Sequence, residues 1–112
     1  MFHVIDNLKE NELLQEMALE SVKGYGLSDK HVQRETFALM VRHLYKLKQF
    51  KGSMLELVGQ VARDDIVLVR IALAISVGAI LEESPGEEEV FGSVVETLKA
   101  DEADVSDYLT GF

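Results

Sequence analysis

Asp64-Asp65-Ile66-Val67-Leu68-Val69-Arg70-Ile71-Ala72-Leu73-Ala74-Ile75-Ser76-Val77-Gly78-Ala79-Ile80-Leu81 decides the fold. After two aspartates, one charge, Arg70, interrupts a run that is otherwise almost wholly apolar. A helix that is apolar all round must be covered on most sides, so this stretch is expected to be the central helix with the other segments around it. Its apolar part, Ile66 to Leu81, covers 16 residues. A membrane span needs about 18 to 20, so the reading is a buried helix and no membrane association is expected.

Working outward, composition bounds the rest. The chain has 112 residues, 47% hydrophobic and 28% charged, which fits one globular core and a single helical domain over 1–112. One proline and no tryptophan lean it towards helix. Cysteine is absent, which removes disulfides, thiolate metal sites and cysteine nucleophiles and fits a reducing compartment. At the start, Met1-Phe2-His3-Val4-Ile5 gives way at once to Asp6, Asn7, Lys9 and Glu10, too short an apolar run for a signal-peptide core. A cytoplasmic location is the expectation.

Periodicity predicts six helices, at about 6–23, 28–48, 53–62, 65–83, 87–99 and 103–110. In the first, Leu8, Leu13, Leu14, Met17, Ala18, Leu19 and Val22 recur at three- and four-residue steps, and Glu12, Glu16 and Glu20 share another face. Ser28 or Asp29, Ser53 and Asp64-Asp65 are the expected helix caps, and Ser84-Pro85-Gly86 is the clearest turn. No period-two stretch reads as a strand. The fold class predicted is therefore all-α.

A gapless shift of 36 positions pairs Leu19 with Leu55, Glu20 with Glu56, Val22 with Val58, Asp29 with Asp65, Arg34 with Arg70, Ala38 with Ala74 and Val41 with Val77. These are seven identities over positions 19 to 46, where composition alone gives about two. The same shift again sets Asp65 on Asp101, Val69 on Val105 and Leu73 on Leu109. Antiparallel helix pairs stacked as a short α-solenoid-like bundle satisfy this spacing, since one pair cannot bury its apolar face alone. A compact four- to six-helix bundle is the alternative.

Asp65, Val69-Arg70, Ala74 and Gly78 resemble the turn and second helix of a HEAT-type (armadillo/HEAT-like) repeat. Asp29, Arg34 and Ala38 repeat the pattern with Gln33 in the valine position, and Asp101 and Val105 repeat it with Ser106 in place of the arginine. The resemblance implies about three degenerate helix pairs over positions 6 to 112. It also implies an ion pair between Arg70 and a turn aspartate, Asp65 or Asp29. Burial alone asks for such a partner, because an unpaired buried charge costs several kcal/mol.

Charge is unevenly laid out. Between Lys30 and Lys51 there are six basic residues and one acidic, +5, whereas the remainder holds five basic and 19 acidic residues, −14. Lys30, Arg34 and Lys48 project within one helical arc and are the candidate partner-binding residues, for an acidic protein or for phosphates. Alternatively, Glu12, Glu16 and Glu20 neutralise the basic helix from the neighbouring one. A net charge of −9 opposes nucleic acid as the partner, so nucleic-acid association through 30–51 is the second reading and a protein partner the first. Val105, Tyr108, Leu109 and Phe112 form an apolar terminal strip, the candidate self-association site of a homodimer.

Catalytic signatures are missing from the sequence. His31, Glu35 and His43 lack the further ligand that would complete a metal set, and no Gly-x-Ser-x-Gly elbow, phosphate loop or dinucleotide fingerprint occurs. The acidic clusters lack the twelve-residue calcium-loop pattern. No metal or cofactor is expected. The function expected is a protein–protein interaction or adaptor module that self-associates, without catalysis.

Overall fold

The computed structural model describes the backbone of residues 2–47, 50 and 52–112, and the side chains of 13–47, 50, 52, 54–87 and 89–112. Among the described residues six α-helices follow one another: α1 (Phe2–Gly26), α2 (His31–Leu44), α3 (Ser53–Val61), α4 (Val67–Glu83), α5 (Gly92–Lys99) and α6 (Ala103–Ser106). Short 3-10 turns occupy Pro85–Glu88 and Asp107–Leu109. Among the described residues there is no strand, so the chain is all-α, and its helices pack as a small bundle.

α2, α4 and α6 begin at His31, Val67 and Ala103, 36 residues apart each time. The starts of α2 and α4 share a backbone device. Ser28 Oγ accepts the Lys30 N–H at 3.1 Å, and one period later Asp64 Oδ1 accepts the Ile66 N–H at 3.0 Å. These bonds form in the turn before the helix. The N-cap positions themselves, Lys30, Ile66 and Glu102, make no side-chain cap bond, so the expected capping by Ser28, Asp29 or Asp65 becomes a tightening of the preceding turn. Gly52, with φ of 95°, precedes α3 and takes the cap position expected of Ser53.

α4 lies in the middle. On one side α2 runs parallel to it, fixed by Ser76 Oγ donating to the Ala38 carbonyl at 2.5 Å, Tyr45 and Ser84 hydroxyls 3.1 Å apart, and Lys46 Nζ 3.1 Å from Glu83 Oε1. These links join residues 37 to 39 apart, so the register is constant along the pair. On the other side α6 and the 3-10 turn after it close over α4 with Val105 and Leu109, both fully buried. Small residues set the distance there: a Cβ on Gly78 would lie 2.7 Å from the Tyr108 carbonyl oxygen.

Across the back, α3 and α5 supply Met54, Leu57, Val58, Val61, Val94, Val95 and Leu98 to the same core. Tyr45, Phe50 and Phe91 close its lower end, with Phe91 6.5 and 6.4 Å from the other two ring centres. α1 packs against α2 and α3 through Leu19, Val22 and Gly26; a Cβ on Gly26 would meet the Leu57 side chain at 2.7 Å. At a rise of about 1.5 Å per residue α1 is about 37 Å long, which accounts for the longest dimension of a 52 × 32 × 18 Å molecule.

Candidate interaction surface

The two arginines of the apolar helices are the obvious free donors in the sequence, and both are engaged. Arg34 grips Asp64 with two nitrogens, Nε to Oδ2 at 2.6 Å and a terminal nitrogen to Oδ1 at 3.1 Å, and donates its third to the Ser28 carbonyl at 3.0 Å. Arg70 does the same one period on. Its Nε lies 2.7 Å from Asp101 Oδ2, and a terminal nitrogen donates to the Asp64 carbonyl at 2.6 Å. Each arginine therefore ties the backbone of its own turn, six residues back, to the carboxylate of the following turn.

This corrects the expected Arg70 pairing with Asp65 or Asp29, both of which are exposed. The physical reason is direction. A helical side chain leans towards the N-terminus of its own helix, so the guanidinium reaches the turn below and the next turn beside it. What the preceding turn presents to Arg70 is the Asp64 carbonyl, and the carboxylate comes from Asp101.

Asp64 sits under two opposing influences. Partial burial pushes its carboxyl pKa up, but the Arg34 hydrogen bond, the Ile66 N–H and the charges of Arg34 and Arg70 together outweigh this and leave it below its ordinary value. Arg34 is raised correspondingly, first by its hydrogen bond to Asp64. Two shallow clefts run along the turn edge, one over Arg34 and Asp64 and the next over Arg70 and Asp101. Their floors are closed ion pairs, which leaves little donor capacity for an anion.

Of the predicted partner-binding arc, Arg34 is thus held by Asp64, Lys30 is exposed, and Lys48 lies outside the described residues. The remaining bases of α2 and its end project to solvent: His31 sits 3.8 Å from Glu35, Lys46 bridges to Glu83, and Arg42 and His43 have no ion-pair partner among the described residues. Glu16 and Glu20 are also exposed and form no ion pair with any described base, so neutralisation by the first helix does not occur through these two. The Glu12 side chain is outside the described residues.

The predicted self-association strip is divided. Val105 and Leu109 are core residues with no exposed surface, because their four-residue spacing turns both onto α4; Tyr108 and Phe112 are 48% and 38% exposed. Lys99 Nζ donates to the Phe112 carbonyl beside them.

Apolar exposure lies elsewhere. Leu13, Leu14 and Met17 of α1 are 58%, 58% and 57% exposed, Val32 and Leu39 of α2 are 60% and 46% exposed, and Leu68 at the start of α4 is 53% exposed. Sequence reading counted Leu13, Leu14 and Met17 with the buried face. The signal that separates them is angular: at 100° per residue Leu13 and Met17 lie opposite Leu19, Val22 and Gly26 and Leu14 lies to one side, so α1 carries apolar residues beyond the face used inside the chain.

In comparisons with protein-family models, curated proteins and solved structures, none matches the chain. Among the described residues, no group of three or more His, Cys, Asp or Glu is placed to hold a metal ion. No helix of the described residues is long and apolar enough to cross a membrane.

Proposed function

We propose that this protein is a protein–protein interaction module that associates with a second copy of itself and has no catalytic role. The observation that carries the reading is the exposed apolar surface of the first helix pair, Leu13, Leu14 and Met17 on α1 with Val32 and Leu39 on α2. A small monomer seldom leaves that much apolar surface to water unless something covers it.

We further read the architecture as HEAT-like, about three degenerate helix pairs. Support comes from the 36-residue spacing of the second helices and from the two arginine clamps at equivalent positions. In stacked pairs the outer face of a terminal pair has no neighbour within the chain and must be polar or covered. Here it is apolar.

Sedimentation velocity tests the reading. From about 1 to about 100 µM, the range in which interfaces near the small end of the stable class associate, the mass is expected to rise from 12.5 kDa towards twice that value. A strict monomer throughout would remove the proposal.

A further inference from the structure

We propose that the second copy is bound through the front formed by α2 and α4, with a two-fold axis that crosses both helices at Leu39 and Ile75 and lays each helix antiparallel on its own image. This rests on the self-association reading above and specifies its surface. The two helices run parallel and start 36 residues apart, and 36 residues are ten whole turns, so equivalent positions point the same way. Leu39 and Ile75 stand at one level, being the chain neighbours of Ala38 and Ser76, which a 2.5 Å hydrogen bond joins. At 100° per residue Val32, Glu35, Leu39, Arg42 and Lys46 fall within an arc of about 80° on α2, opposite the buried Phe37, Val41 and Leu44. Leu68, Ile71, Ile75, Ala79 and Glu82 fall within an arc of about 80° on α4, opposite the buried Leu73, Val77 and Ile80. None of the front residues is buried, and Val32, Leu39 and Leu68 are 60%, 46% and 53% exposed.

The layout is symmetric about its centre. From Leu68 to Glu82 the steps are three, four, four and three. Reversal therefore brings Ile75 onto Ile75, Ile71 onto Ala79, large against small, and Leu68 onto the aliphatic stem of Glu82. On α2, reversal about Leu39 brings Glu35 within one residue of Arg42. Both of these lie on the side of the α2 stripe nearer Ala38, which faces α4, so they meet laterally as well as in level.

Charge selects this axis. Among the described residues Arg42 has no ion-pair partner and Glu35 has only His31, at 3.8 Å. The two-fold gives each Arg42 the Glu35 of the other copy, two complementary contacts per dimer. The other axis that joins the same fronts runs along α4 and sets α2 against the much shorter α6, whose exposed Asp104 and Asp107 then lie opposite the end of α2 that carries Glu35, a repulsive match. The exposed apolar residues of α1 make a poorer self-contact, because Leu13 and Met17 lie within about 60° of Glu20 around the helix and that face on its own image sets glutamates together. Two α2 and two α4 helices joined face to face form a four-helix arrangement whose closed symmetry ends the assembly at a dimer.

Cross-linking and a charge swap test the front. The chain has no cysteine, so one introduced thiol reports the axis: under mild oxidation Leu39→Cys is expected to give a disulfide-linked dimer and Leu14→Cys to give none. Glu35→Arg alone and Arg42→Glu alone are each expected to weaken self-association about tenfold in sedimentation, since attraction becomes repulsion at two contacts. The two proteins mixed in equal amounts, or both changes in one chain, are expected to recover the parent affinity, because every contact is again of opposite sign. Leu39→Glu with Leu68→Glu is expected to give a monomer whose circular dichroism and melting temperature stay close to the parent's, both side chains being already half in water. If the parent dimerises but the reversals have no effect, the swap fails to recover, or Leu14→Cys cross-links and Leu39→Cys does not, the α2–α4 front is wrong while self-association stands. If the parent is monomeric over the whole concentration range, both fall.

Discussion

At the scale of single residues, Asp64 joins two turns. Its carboxylate takes Arg34 and the Ile66 N–H, and its carbonyl takes Arg70. With side-chain exposures of 9% for Asp64 and 19% for Arg34, the pair is shielded enough that removing one partner leaves the other poorly solvated. Asp64→Asn is expected to destabilise by about 2 kcal/mol at neutral pH. Because the folded carboxyl is held below its ordinary pKa, its stabilising contribution is full above the unfolded value of about 3.9 and is lost as pH falls through the folded one. Urea titrations of parent and variant at several pH values should therefore converge in acid and separate above about pH 5. A constant gap down to the lowest pH would show that the ion pair contributes nothing.

Two helical glycines, Gly78 buried and Gly59 half-buried, make an independent residue-level test. A Cβ on Gly78 meets the Tyr108 carbonyl, backbone that cannot rotate away, whereas a Cβ on Gly59 within α3 meets nothing within 4 Å. Gly78→Ala is expected to cost about 1 to 3 kcal/mol, and Gly59→Ala to be neutral or to stabilise by up to about 1 kcal/mol through the lower entropy of the unfolded chain. Melting temperatures of the two variants should move in opposite directions or only the first should move.

At the scale of elements, much was legible and the errors have identifiable causes. The apolar run of α4 predicts a helix in the middle, because enclosure follows from its composition, and α4 lies there. The spacing predicts a start at 65, whereas the helix begins at Val67, since the turn bond from Ile66 to Asp64 still belongs to the loop. The spacing predicts the fifth helix from 87, but Pro85–Glu88 forms a 3-10 turn and the α-helix begins at Gly92. The setting of Arg70 calls for a carboxylate, yet which carboxylate depends on how neighbouring turns are offset, and spacing along one chain does not carry that. α1 misled most: seven apolar residues at three- and four-residue steps look like one face until their angles are separated.

The terminal element gives the sharpest reversal. Leu109 is fully buried against α4, so a substitution there tests the core and not a partner surface. Leu109→Ala is expected to cost about 2 to 5 kcal/mol, measurable as a lower urea midpoint, without changing the association seen by sedimentation. Tyr108→Ala, at 48% exposure, is expected to stay within about 0.5 kcal/mol of the parent.

For the molecule as a whole, the decisive relation is that α4 is covered from two sides by different stretches of chain. α2 covers one side through a constant register, and residues after Asp101 cover the other through Val105 and Leu109 while Asp101 itself holds Arg70. Deleting residues 101–112 removes the carboxylate partner of Arg70 and the cover over Gly78 in one step. If the layers stabilise one another, the loss is cooperative and exceeds the sum of the corresponding point changes. The shortened chain is expected to keep much of its helix by far-ultraviolet circular dichroism, bind an apolar dye through the exposed face of α4, and lose a sharp urea transition, as expanded compact states do. A sharp transition shifted by less than about 2 kcal/mol would mean that α2 and α3 alone hold α4, and that the last unit is an attachment to the core and no part of it.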